Sequence, residues 1–87
     1  PEEFQMRCVL VEDEVMFAQM LAAMLQSVRG LDIVASAHTV EAGLAACQEH
    51  RPDVLILDLG LPDGDGMKVA FEAAKVQRDV RVVVLSS

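Results

Sequence analysis

The sequence predicts an α/β fold, a doubly wound parallel sheet with helices on both faces. Three observations carry this. Strand-length apolar runs alternate with stretches whose apolar residues recur at helical spacing, in the order βαβαβαβ. The strand runs are nearly continuous in apolar residues, as strands covered on both faces require. The composition, 53% hydrophobic but only 3% aromatic, leaves Leu, Val, Ala and Met to fill the core, which suits aliphatic strands under Ala-rich helices.

Residues 1–5 fit no element, and with Met6 as a native start they read as an expression remnant. Arg7–Glu12 is the first strand and ends in the acidic run Glu12, Asp13, Glu14. A helix follows from Asp13 or Glu14 to Val28, with Phe17, Met20, Leu21, Met24 and Val28 spaced to form its core face and Gly30 placed to stop it. Asp32–Ser36 is a short second strand. Thr39 is suited to cap a second helix over Val40–His50, with Leu44 and Cys47 on one side, and Pro52 blocks its continuation. Val54–Leu57 is the third and most apolar strand, ending in Asp58. A Gly- and Asp-rich loop, Gly60–Gly66, leads to a third helix over Met67–Gln77. Val80–Leu85 is a fourth strand, ending in Ser86 and Ser87.

Eighty-seven residues make one small domain, which buries roughly 60–65% of the surface its unfolded chain exposes. The net charge of −7 argues against direct nucleic-acid binding, because phosphate contacts need Lys and Arg. Cys8 and Cys47 lack metal-ligand spacing and read as small buried hydrophobes of a reducing compartment. No apolar run is long enough to span a membrane and no leader pattern stands at the start, so a cytoplasmic location is expected.

Open parallel sheets bind ligands beyond the carboxyl ends of their strands, at the point where the winding reverses. Glu12, Asp13, Asp58 and Ser86 all stand at such ends and can face one crevice. Converging carboxylates repel, so a hard cation with oxygen ligands is the natural occupant. Mg²⁺ suits best, since it keeps several waters and leaves room for phosphate oxygens, whereas zinc lacks nearby His or Cys ligands. A metal that neutralises phosphoryl oxygens beside a carboxylate nucleophile is suited to forming an aspartyl phosphate.

Three segments, in order, resemble the receiver domains of bacterial two-component response regulators. Val-Leu-Val-Glu-Asp-Glu (9–14) is similar to the acidic pair that ends their first strand. Arg-Pro-Asp-Val-Leu-Ile-Leu-Asp-Leu-Gly-Leu-Pro-Asp-Gly-Asp-Gly (51–66) resembles the segment with the phospho-accepting aspartate, including Pro62 four residues on and Gly66 eight on. Val-Val-Val-Leu-Ser-Ser (82–87) resembles the strand whose final Ser or Thr contacts the phosphoryl group. Together they span residues 6–87.

The resemblance implies a flavodoxin-like receiver fold with strand order 2-1-3-4-5, truncated here after the fourth strand, and a regulatory phospho-acceptor rather than an enzyme. It implies that Asp58 is the nucleophile and Ser86 the switch hydroxyl. It also implies that Asp13 and Asp58 ligate Mg²⁺, with Glu12 direct or through water and Gly60 through its carbonyl. The implied donor is a phosphohistidine on a sensor histidine kinase. Residues 30–37 are similar to receivers joined to NarL- or LuxR-type DNA-binding domains, so DNA would be met only through an output domain absent here.

The family has five strands and five helices, and its phosphate-binding Lys lies beyond this chain's fourth strand; Lys68 and Lys75 match neither that position nor its role. The chain therefore reads as a fragment whose open Val80–Leu85 edge invites pairing with another copy as a homodimer. Three other readings compete with this one. A phosphohydrolase would place an acid–base Asp where Gly60 stands. A Ca²⁺ loop at Asp63–Gly66 has too short a ligand spacing and Ala74 where the closing Glu belongs. A receiver-like interaction module that is never phosphorylated would not need the acceptor, acidic pair and Ser that are all present. His38 and His50 read as surface residues, and the methionines of the first helix as core.

Overall fold

The computed structural model describes residues 5–85, in the order β1 (Met6–Val11), α1 (Val15–Gln26), β2 (Leu31–Ala37), α2 (Val40–His50), β3 (Val54–Asp58), α3 (Met67–Val76) and β4 (Arg81–Leu85). The expression-remnant expectation covers residues 1–5, and the switch-hydroxyl expectation falls on Ser86. Residues 1–4 and Ser86 lie outside the described residues.

The four strands form one parallel sheet in the order β2-β1-β3-β4. The chain winds from β1 to β2 on one side and then returns past β1 to β3 on the other. The reversal therefore falls between β1 and β3, where the carboxyl ends of two neighbouring strands open a crevice. Alternation along the strands supplies two cores. Val9, Val11, Leu55 and Leu57 point to one face and are sealed by Val40, Cys47, Val69, Ala70 and Ala73 of α2 and α3. Cys8, Leu10 and Ile56 point to the other and meet α1 through Ala18, Leu21, Ala22 and Leu25. Gly43 lets α2 come close to the sheet, since a Cβ there would lie 3.2 Å from Val69 and 3.3 Å from Val11.

The caps follow the expected chemistry for α2. Thr39 is extended, and its Oγ1 accepts the Ala42 N–H at 3.1 Å. At the far end Arg51 takes a left-handed conformation (φ 46°), and the buried Pro52 follows.

The first helix differs from expectation in two respects. It ends at Gln26 rather than Val28, because Ser27 closes it by donating its hydroxyl to the Met24 carbonyl at 2.7 Å. Gly30, with φ 84°, serves the turn into β2 instead. The core face is also different: Met20 and Met24 are 60% and 64% exposed, and Phe17 and Val28 lie outward with them, while Ala18 and its neighbours face the sheet. Of the expected core row only Leu21 packs inward. α2 keeps its expected bounds, and the other boundaries shift by at most one or two residues. β4 pairs with β3 alone among the described residues, and Val82, Val83 and Val84 are all exposed.

Candidate functional site

The parallel register places Val11 beside Leu57, so the next residue of each strand emerges at the same edge. Those residues are Glu12 and Asp58, and Asp13 follows Glu12 in the turn to α1. One carboxylate oxygen from each of Glu12, Asp13 and Asp58 lies within 4.8 Å of the other two. Glu12 is only 5% exposed, Asp58 is half-buried and Asp13 is exposed.

The backbone holds this cluster in place. The Glu12 N–H donates to the Ala37 carbonyl at 2.9 Å, tying the end of β1 to the end of β2. Glu12 Oε2 accepts the Glu14 N–H at 3.0 Å, and Asp58 Oδ1 accepts the Gly60 N–H at 3.1 Å. Each carboxylate is thus oriented by the turn that follows it. His38 Nδ1 donates to the Glu12 carbonyl at 2.8 Å; this half-buried histidine is a structural partner of the acidic turn, not the free surface residue expected. His50 is likewise half-buried, its Nδ1 3.4 Å from Arg7 Nη2 and its carbonyl accepting from the same guanidinium.

Burial pushes the Glu12 carboxyl above its ordinary range, the Glu14 N–H opposes that shift, and the negative charge of Asp58 adds to it. A cation among the three carboxylates would remove both the repulsion and the desolvation cost. The donor set is all oxygen, which matches Mg²⁺ rather than zinc. An open cavity of about 540 Å³ lies over the cluster, lined also by Glu14, Phe17, Gly60 and Leu85.

Of the residues singled out in the sequence, Glu12, Asp13, Asp58 and Gly60 come together here. Ser86 is not described, although its neighbour Leu85 lines the cavity. Lys68 and Lys75 are exposed on α3, Lys75 lying 3.9 Å from Glu72. In the sequence His38 reads as a surface residue and Phe17 as core; nothing local marks the bond of His38 to the acidic turn, and helical spacing alone does not say which apolar face looks inward.

The sequence model of the response regulator receiver domain matches residues 8–87. The DNA-binding transcriptional activator DevR/DosR of Mycobacterium tuberculosis is 33% identical over 78 residues, covering 90% of this chain and 36% of that protein. The KDP operon transcriptional regulatory protein KdpE of Escherichia coli is 37% identical over 79 residues, covering 91% of this chain and 34% of that protein. The chain thus spans about a third of the length of these relatives. Among solved structures, the response regulator domain of Thermotoga maritima CheB superposes with a TM-score of 0.84 at 23% identity, over 95% of this chain and 61% of that one. A LuxR-family two-component response regulator from Aurantimonas gives 0.83 at 21%, over 94% and 59%. At these identities the structural likeness speaks for the fold.

Proposed function

This chain belongs to the response regulator receiver domain family, and on that premise we propose that Asp58 accepts a phosphoryl group and thereby switches an output carried elsewhere in the protein. The observation that supports the reading is the convergence of Glu12, Asp13 and Asp58 within 4.8 Å beneath an open cavity.

In this reading an Asp58 carboxylate oxygen attacks phosphorus in line. A P–O bond forms as the P–N bond of a phosphohistidine breaks, and the released imidazole takes up a proton. The Gly60 N–H on Oδ1 holds the carboxylate in one orientation, so little reorganisation precedes attack. Mg²⁺ held by Glu12, Asp13 and Asp58, with the Gly60 carbonyl, would supply the positive charge that neutralises carboxylate and phosphoryl oxygens. Ser86, next to the cavity-lining Leu85, would hydrogen-bond a phosphoryl oxygen. Residues 6–87 act as one receiver unit, and its own phosphoryl transfer is the only chemistry it assists.

The donor in the cell is a sensor histidine kinase, in a cytoplasmic setting. The output is transcriptional, through a DNA-binding domain of the NarL or LuxR type outside this chain. The names of DevR/DosR and KdpE, both transcriptional regulators, support that direction.

The linkage chemistry provides the test. Labelled phosphate introduced from acetyl phosphate should be released by hydroxylamine, which cleaves acyl phosphates and leaves phosphoserine intact. Label that resists hydroxylamine and persists in Asp58→Ala would place the acceptor on a hydroxyl and overturn the assignment.

A further inference from the structure

The loop after Asp58 is fastened to α2 by a side chain that no role described so far accounts for. Asp63 Oδ1 accepts the Val40 N–H at 2.7 Å, and its Oδ2 accepts the Glu41 N–H at 3.2 Å. These donors lie 23 and 22 residues earlier in the chain, at the first turn of α2. That helix already has its local cap in Thr39, which takes the Ala42 N–H. The Asp63 bonds are therefore tertiary ties between a loop and a helix end.

Three points hold the loop. Leu61 is buried in the α2–α3 core. Gly66 lies against the start of the loop, where a Cβ would come within 3.0 Å of the Asp58 carbonyl oxygen and 3.1 Å of the Leu59 Cα. Asp63 fixes the stretch between them, and at Gly64 beside it (φ 151°) an added Cβ would lie 3.8 Å from Val40 Cγ2. The same short segment that receives Asp63 also reaches the other half of the acidic cluster. Ala37 accepts the Glu12 N–H, and His38 donates to the Glu12 carbonyl. Residues 37–41 thus join the turn that carries Glu12 and Asp13 to the loop that carries Asp58 and Gly60.

We propose that Asp63 is a positioning residue, clasping the acceptor loop to the start of α2 so that Asp58 and Gly60 keep a fixed place relative to Glu12 and Asp13. The inference rests on the proposed phosphoryl acceptance by Asp58. Without the clasp the loop keeps its two end anchors and loses its middle one, and the Gly60 N–H that orients Asp58 shifts with it. Misplacement of a reacting group by a fraction of an ångström is enough to slow a reaction whose catalysis is mainly orientation.

The test uses the full-length protein and compares wild type with Asp63→Ala, Asp63→Asn and Thr39→Ala, each held well below its own melting temperature. Initial rates of phosphoryl uptake from acetyl phosphate at saturating Mg²⁺ are read beside thermal melting. Asp63→Ala should slow uptake about tenfold. Asp63→Asn, which keeps an oxygen for the Val40 N–H, should recover to within about threefold of wild type. Thr39→Ala removes a cap from the same helix without touching the loop, so it should lower the melting temperature and leave the rate within about twofold.

A folded Asp63→Ala protein with the wild-type rate overturns the proposal, as does an equal slowing in Thr39→Ala, which would mean simple helix weakening. Should Asp63→Ala fail to fold, Asp63→Ser, too short to reach both N–H groups, is read against the same criteria. Wild type that takes no phosphoryl group sinks the acceptor reading itself and this inference with it. Wild type that is phosphorylated, with an indifferent Asp63, sinks this inference alone.

Discussion

Glu12 and Asp63 are carboxylates moved in opposite directions by their surroundings, and both leave a mark on stability. Burial and the Asp58 charge raise Glu12, so the folded state holds its proton more tightly than the unfolded chain does, where such a group titrates near about 4.3. Stability therefore falls as pH rises through that window. The Val40 N–H, and less strongly the Glu41 N–H, hold Asp63 below its usual range. Its contribution is complete above the unfolded value of about 3.9 and is lost as pH falls through the lower folded one. The metal-free protein should thus be most stable in mild acid, with a decline toward neutrality that Glu12→Gln removes. Urea unfolding at a series of pH values checks this; parallel curves for wild type and Glu12→Gln would contradict it. At this scale the convergence of Glu12, Asp13 and Asp58 was legible because residues at the carboxyl ends of parallel strands face the crevice. Asp63 was not, because its partners are distant in sequence and nothing local marks them.

Among the elements, α1 teaches most about what the sequence conceals. Its stretch from Val15 to Leu25 is apolar almost all round, broken only by Gln19, so a helical stripe can be drawn through either face. The larger side chains, Phe17, Met20 and Met24, suggest the wrong one. The smaller row of Ala18, Leu21, Ala22 and Leu25 faces the sheet, because small residues let the helix approach strands whose Cys8, Leu10 and Ile56 already fill the layer. The correction has a measurable consequence. Met24→Ala should change stability by less than about 0.5 kcal/mol, while Leu55→Ala in the fully buried centre of β3 should cost about 2–5 kcal/mol. Denaturant unfolding that found comparable losses would restore the methionines to the core. β1, β3 and α2 were readable in the sequence with little loss, since continuous apolar runs and the Thr39 cap leave few alternatives. Strand ends moved by a residue or two, where pairing rather than composition decides the boundary.

For the whole molecule, the alternating element pattern implies a parallel sheet and the receiver resemblance its strand order; the observed β2-β1-β3-β4 puts the site at the reversal between β1 and β3. It also puts β4 at an edge, apolar and exposed along Val82, Val83 and Val84. Such an edge is a template for another strand. The 87-residue chain on its own should therefore self-associate, and more strongly as salt screens its net charge of −7. A monodisperse monomer in light scattering at every salt concentration would contradict that. The central claim is that Asp58 is a phosphoryl acceptor at a metal-dependent site. Intact-mass spectrometry of the full-length protein, incubated with acetyl phosphate with and without Mg²⁺ beside an Asp58→Ala control, tests it most directly. The account predicts a gain of one phosphoryl group that requires Mg²⁺ and is absent from the variant. A folded wild-type protein that gains nothing would contradict it and point to a receiver-like module regulated without phosphate.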